Sequence, residues 1–228
     1  IAINRDEILN EYLSGYGQLA NGPVSLIFKY ALDSSQTPYA YDVKAAKELL
    51  KQAGWKDENN NGILERNNLE FKFTLYIPSG NPRRSYAGTV VKNNLKMLGV
   101  DVTIQTVEIG VLIEDMYSRK IDAWMVGLFV PIPLDLRSFW YSDLENSPMN
   151  FAGYRNEEVD LLIEKAEQRI SDEERNSLVK EIQKIIHEDE PVTFLYWIDN
   201  IVVYNNKLHN VDINPLGVVH HCWNWTIK

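Results

Sequence analysis

The chain has 228 residues and a formal net charge of -9, from 23 Lys and Arg against 32 Asp and Glu. That length is ample for a buried core in one large domain or two small ones, and the acidic balance disfavours nucleic acid or anionic lipid as a partner. No run of apolar residues approaches the ~20 of a membrane span, and the single cysteine, Cys222, excludes an intrachain disulfide without fixing the compartment.

Asn4-Arg5-Asp6-Glu7 has the form of a capping box and opens a short helix through about Leu13, ended by Gly15-Tyr16-Gly17. Residues 18–41 show no periodicity and carry Gly22-Pro23 and Thr37-Pro38, which reads as a long loop hugging the surface. Asp42 caps a helix with Ala45, Ala46, Leu49, Leu50 and Ala53 on one face, stopped by Gly54. Asp57-Glu58-Asn59-Asn60-Asn61-Gly62 matches the start of a calcium loop of the EF-hand type. Position twelve is Asn68 rather than the bidentate Glu such a loop needs, and a strand follows, so the segment reads as a polar hairpin turn.

The centre of the chain is Leu69–Phe129, an expected parallel β-α-β-α-β core. Leu69, Phe71, Phe73, Leu75 and Ile77 alternate with polar or exposed-type residues, the period of a strand with one buried face. Asn81-Pro82 starts a helix with Ala87, Val90, Val91, Leu95 and Leu98 inward, and Gly99 stops it. Val100, Val102, Ile104 and Thr106 alternate again. A second helical run carries Leu112, Ile113, Met116 and Tyr117, and Ile121–Phe129 closes the unit as a mostly apolar strand. Two such crossovers predict a parallel sheet, and ligands in such sheets sit beyond the C-terminal strand ends. Those ends lead into residues 78–84, 108–110 and 128–135.

Beyond the core, Pro131 and Pro133 break the strand and Asp135 caps a short aromatic helix, Leu136–Tyr141, followed by a loop at Ser147–Tyr154. Asn156 caps a helix with Val159, Leu162, Ile163, Ala166 and Ile170 on one face. Ser171-Asp172-Glu173-Glu174 opens another, with Leu178, Ile182, Ile185 and Ile186 inward, ended by Pro191. Val192–Tyr204 reads as strand, and a last strand falls near Trp223–Ile227. There is no internal repeat.

No nucleophile elbow, phosphate-cradling glycine loop or paired general acid and base is visible, so no catalytic residue is assigned. His187 reads as part of a solvated helix face. His220-His221-Cys222 resembles a metal motif, but in an extended segment only His220 and Cys222 share a face; two ligands are too few, so no metal or cofactor is assigned. What remains is a set of strand-end loops with Arg83, Arg84, Phe129, Asp135 and Arg137 among aromatics, the profile of a binding surface. Six Trp and twelve Tyr would suit sugar or peptide clefts.

Seven stretches in order carry a family resemblance. They are Ala2–Ile8; Gly15-Tyr16-Gly17 through Asn21-Gly22-Pro23; Tyr41-Asp42 through Ala53-Gly54-Trp55; Asn61–Glu65; Leu95–Val102; Asn150 through Asp160; and Glu190-Pro191 with Leu195-Tyr196. Together they resemble the C-terminal lobe of extracellular solute-binding proteins of ABC importers, family 5, the oligopeptide, dipeptide and nickel-binding class. The resemblance implies that residues 1–228 form a single lobe of a periplasmic-binding-protein-like α/β fold, a mixed sheet with its parallel core flanked by helices. It implies a hinge-closing partner lobe and a signal peptide and lipid anchor upstream, a periplasmic or extracellular location, and permease subunits as partners. The implied ligand is an oligopeptide, with an oligosaccharide or other uncharged solute, or a ligand-sensing role in a regulatory protein, as alternatives. The family's amine-binding Gly-Trp and Asp are replaced: Leu128 follows Gly127, and the acidic position falls on Pro131 or Ile132. Arg83 falls where a basic residue meets the peptide carboxylate. Ile109, Met116, Tyr117, Leu128, Phe129 and Asp135 complete the expected ligand-binding set.

Overall fold

Side-chain caps start the helices where the sequence places them. In the computed structural model, which describes residues 1–33 and 35–228, α1 (Arg5–Glu7) begins as the Asn4 side chain accepts the Glu7 N–H at 3.1 Å and runs into a π-helical turn, Ile8–Tyr12. The return half of the capping box is replaced: the Asn4 N–H donates to Oδ1 of the buried Asn94 at 2.7 Å. The expected loop after it holds a short strand, β1 (Gly17–Leu19); Ser34 within that loop lies outside the described residues. Gly17 has φ +151°, and a Cβ there would stand 2.4 Å from the Trp197 carbonyl oxygen, so only glycine lets the two backbones meet. Helix α2 (Val43–Gln52) is capped by Asp42 and buries Ala46, while Leu49 stays exposed.

A hairpin of β2 (Glu65–Arg66) and β3 (Leu69–Glu70) follows. In the turn before it, Asp57, Asn59 and Asn61 side-chain oxygens accept the N–H groups of Asn61, Gly62 and Ile63. The oxygens that suggested calcium ligands are thus hydrogen-bonded to the turn's own backbone. Strand β4 (Lys72–Pro78), helix α3 (Pro82–Lys96), strand β5 (Asp101–Val107) and helix α4 (Ile109–Tyr117) form the core. β4 and β5 pair in parallel with Phe73 opposite Val102 and Leu75 opposite Ile104. Leu75, Ile77 and Val102 are buried, Phe71 and Phe73 half-buried, and Leu69 exposed, so the period-two face fades towards its start. α3 closes as expected at Gly99, whose φ is +81°.

The expected third strand at 121–129 shortens to a single parallel bridge between Trp124 and Tyr76 on the edge of β4 away from β5. The Tyr76 N–H donates to the Ala123 carbonyl and the Met125 N–H to the Tyr76 carbonyl, at 3.0 and 2.9 Å. The next bond of such a ladder would need an N–H on residue 78, and Pro78 has none. The order is therefore β5, β4, then the Trp124 segment, with β4 central.

Helices α5 (Arg137–Trp140), α6 (Glu157–Ala166) and α7 (Asp172–Asp189) build a second core. Asn156 and Ser171 cap α6 and α7, and Asp135 accepts the N–H and hydroxyl of Ser138 at 3.0 and 2.5 Å to start α5. Val159, Leu162, Ile163, Val179, Ile182 and Ile186 meet there with Val24, Phe28, Trp140 and Tyr154. The other core joins Ile8, Ala46, β4, β5 and α3. His187 is not on a solvated face: it is buried and its ring stacks on Tyr39 at 4.5 Å. The reason is the long loop, which folds over α7 and is held by Gln183 Nε2 donating to the Ala31 carbonyl at 2.6 Å.

The expected strand at 192–204 contracts to β6 (Tyr196–Ile198), which pairs antiparallel with β1. β7 (Leu208–His209) and β8 (Thr226–Ile227) pair at the C-terminal end. The whole is a mixed α/β fold whose sheet is divided into two-stranded pieces. Among the described residues no helix is long and apolar enough to cross a membrane.

One buried charge ties these parts together. The Arg5 guanidinium donates to the carbonyls of Ala20, Phe194 and Tyr39 at 2.7, 2.7 and 2.8 Å. Arg5→Met is expected to lower stability by at least about 3 kcal/mol in urea unfolding, because it strands three carbonyls. Arg5→Lys is expected to recover only part of the loss, since an ammonium lacks the planar fork that reaches separate acceptors.

Candidate functional site

The crevice at the C-terminal ends of β4 and the Trp124 segment is where the chain's connections diverge to either side of a central strand, the position at which open α/β sheets bind ligands. α3 begins at this edge: Asn81 accepts the Arg84 N–H at 3.1 Å and Pro82 occupies the first turn. The first turn holds no acidic residue and two arginines, a placement the helix dipole disfavours. Neither the Arg83 nor the Arg84 side chain has an ion pair or hydrogen bond among the described residues.

The Arg84 guanidinium reaches the Trp124 segment: a Cβ on Gly127 would stand 3.0 Å from its Nη2. Burial lowers the Arg84 pKa, with Tyr196 opposing that shift and Arg83 adding to it. The Tyr196 phenol is itself pushed up by burial, against the opposing pull of Arg83 and Arg84. The two guanidinium charges thus act on each other and on the Tyr196 phenol, and no carboxylate is paired with either arginine among the described residues. On chemical grounds such a group accepts an anion or an acceptor-rich solute.

Of the residues expected from sequence, Arg83, Ile109, Leu128 and Phe129 fall on this strand-end side. Ile109 is exposed at the start of α4, next to Glu108, which caps that helix by accepting the Gly110 and Val111 N–H groups. Leu128 is exposed, and Phe129 is 96% exposed. Met116 does not join them: it is 2% exposed and faces inward from α4. Tyr117 lies at the other end of α4, about 12 Å along the axis from Ile109. Its ring meets Phe151 edge-on at 5.0 Å and its hydroxyl approaches Met149 Sδ at 3.7 Å. Helical spacing alone could not separate these ends of one helix.

Asp135 is drawn elsewhere. Beyond capping Ser138, it lines a surface hollow of about 760 Å3 shared with Tyr30, Leu134, Arg137 and Glu167. The Arg137 charge there is already matched: it forks onto Glu167 at 2.7–2.9 Å, which raises its pKa, and it lies over the Tyr141 ring at 4.0 Å. The hollow therefore has less to offer a charged solute than the strand-end crevice. Sequence reading placed Arg84 among the loop residues without assigning it a role and did not assign Gly127 or Tyr196; the missing signal was which edge of β4 the Trp124 segment would take.

The histidine pair also differs from its sequence reading. Residues 217–224 form consecutive turns rather than an extended segment, and His221 has φ +66°. Both rings consequently lie on one side, with centroids 3.9 Å apart, together with Asp212; Cys222 is not part of the group.

Comparison with known proteins places the chain in a family. A family model described as "Bacterial extracellular solute-binding proteins, family 5 Middle" matches residues 1–151. The oligopeptide-binding protein AppA of Bacillus subtilis is 33% identical over 98% of this chain and 42% of its own length. The structure of AppA with a nonapeptide has a TM-score of 0.88 at 30% identity, covering 100% of this chain and 46% of AppA. NikZ of Campylobacter jejuni with Ni(L-His) has a TM-score of 0.79 at 26% identity, over 99% of this chain and 46% of NikZ. The dipeptide-binding protein DppE of Bacillus subtilis is 27% identical over 78% of this chain and 31% of its own length. The chain thus spans less than half the length of these relatives. It belongs to family 5 of the bacterial extracellular solute-binding proteins.

Proposed function

We propose that this chain is one lobe of a two-lobed receptor for an ABC importer, and that Arg83 and Arg84 meet the carboxylate of an oligopeptide in the cleft. The observation that carries the reading is the pair of arginines at the start of α3, without carboxylate partners among the described residues, with the Arg84 guanidinium set close against Gly127. A charged group held half out of water with no partner is unfavourable unless a ligand completes it. The likeness to oligopeptide-binding AppA supports a peptide as that ligand.

Ile109, Leu128 and Phe129 are exposed apolar residues on the same strand-end side as the arginines. In this reading they face the second lobe and the peptide's side chains, and closure removes them from water. Tyr117 and Asp135 serve the lobe's own packing and capping more directly than ligand contact. The reading gives the rim no catalytic role and no cofactor. The receptor works on the outer side of the membrane, tethered by an upstream lipid anchor, and delivers its solute to permease subunits.

Two measurements test this. In calorimetry with the full-length receptor, a peptide amidated at its C-terminus is expected to bind at least about tenfold more weakly than the free acid, a difference of about 1.4 kcal/mol. Arg83→Ala with Arg84→Ala is expected to erase that difference. Equal affinity for both peptides, with tight binding of an oligosaccharide, would favour the uncharged-solute reading instead. Residues 1–228 alone are expected to fold, by circular dichroism, yet bind peptide more weakly than about 10 μM, because half of the contacts are missing. Micromolar or tighter binding by this chain alone would contradict the two-lobe reading.

A further inference from the structure

The segment between β7 and β8 carries a cluster that peptide capture does not use. The two-residue ladder of β7 and β8, extended by the Lys228 N–H donating to the Lys207 carbonyl at 3.1 Å, closes a loop over residues 210–225. The loop is wound from successive turns. The Gly217, His220, Cys222, Asn224 and Trp225 N–H groups donate to the carbonyls of Asn214, Gly217, Val219, His221 and Cys222, all at 2.9–3.2 Å. Such a run of three-residue closures fixes the direction of each side chain more tightly than an open loop would.

Three ligating groups converge on this frame. Oxygen or nitrogen atoms of Asp212, His220 and His221 all lie within 4.8 Å of one another. His221 Nδ1 stands 3.0 Å from Asp212 Oδ2. Asn214 orients the set. Its Oδ1 accepts the Leu216 N–H at 2.9 Å, which turns its Nδ2 towards Asp212 Oδ2 at 2.8 Å and His220 Nδ1 at 3.5 Å. The last contact is at the limit of a hydrogen bond, so the His220 nitrogen is weakly committed.

A His221–Asp212 hydrogen bond by itself explains two of the three groups. It does not explain a second imidazole held with its centroid 3.9 Å from the first and facing the same carboxylate. Two ligands of a tetrahedral ion, each about 2.0–2.2 Å from it, stand roughly 3.3 Å apart. The 3.0 Å between His221 and Asp212 is within a few tenths of that spacing. We propose that Asp212, His220 and His221 form a binding site for a divalent transition ion of the zinc, nickel and copper class. Two imidazoles and one carboxylate are the borderline ligands these ions prefer over calcium or magnesium, and three protein ligands leave one position for water or a donor from a solute. Asn214, on the carboxylate, acts as the outer partner that orients a ligand. The bound ion closes the 210–225 loop against itself. This proposal is independent of the strand-end crevice and of the peptide reading.

The test is a titration of the full chain with zinc, nickel or copper chloride, read by calorimetry and by Trp fluorescence. Trp223 lies beside the site, its ring centroid 5.1 Å from that of His221 and 6.2 Å from that of His220. One ion per chain is expected, copper binding most tightly and copper or nickel quenching the fluorescence. Trp223→Phe is expected to remove most of the quenching while leaving the heat of zinc binding. His220→Ala and His221→Ala are each expected to weaken zinc at least about tenfold and Asn214→Ala by a smaller factor. These side chains are partly exposed, and an unchanged circular dichroism spectrum shows that each variant folds. Absence of saturable zinc binding below about 1 mM would overturn the proposal, as would binding that survives His220→Ala with His221→Ala.

Discussion

Much of this fold depends on a charged group placed where water cannot solvate it. Arg5 is 9% exposed, and burial lowers its pKa while Glu190 and Asp6 oppose the shift. The guanidinium stays in place because three carbonyls from three separate segments accept from it. One of them belongs to Phe194, which packs on the α6–α7 core, and the next residue, Leu195, packs on the β4–β5 core. Arg5 therefore pins the backbone at the point where the chain passes from one core to the other. The same anchor holds the start of β6, which carries Tyr196, whose phenol feels the charges of Arg83 and Arg84. Stability and site geometry share a single support.

The crevice itself arises from a missing hydrogen-bond donor. Had residue 78 carried an N–H, the parallel ladder between β4 and the Trp124 segment could have continued, and residues 125–127 would have been zipped against the strand. Pro78 stops the ladder after one bridge, and Gly127 leaves room for the Arg84 side chain to lie in the gap. The consequence is a cleft wall with a guanidinium in place of sheet. A residue that looks like ordinary strand punctuation thus shapes the surface where the solute would sit.

Helix boundaries were legible because their signals are local. Asn4, Asp42, Asn81, Asn156 and Ser171 each cap the helix that follows, and Gly99 ends α3 with a positive φ. The inward faces of α6 and α7 followed from their 3.6-residue period. Most of the misreadings concern partners distant in sequence. His187 lies at the end of an amphipathic helix with acidic neighbours, and only the loop from residue 24 to 41, folded over it, buries it against Tyr39. The length of the third strand depended on which edge of β4 it met. Met116 and Tyr117 share a helix with Ile109, but α4 turns Met116 into the core and leaves Tyr117 exposed at its other end, away from the rim. For His220 and His221, the alternation rule of an extended chain does not apply to a segment wound into turns.

The distribution of charge along the rim bears on how a solute would be oriented. The chain is acidic overall, at -9, yet around the crevice the unpartnered charges are cationic. Glu108, on the strand-end side, is used by the first N–H groups of α4, while Asp135 and Glu167 lie in the separate hollow, used by Ser138 and Arg137. A zwitterionic peptide bound on this wall would thus be held by its acidic end, and its amine would have to find a carboxylate elsewhere. Leu128, Pro131 and Ile132 cannot supply one. In the two-lobed receptor proposed above, that carboxylate would fall to the opposite wall, so that each lobe would hold one end of the ligand. Neither lobe alone then satisfies both ends, and the electrostatic gain becomes complete only on closure.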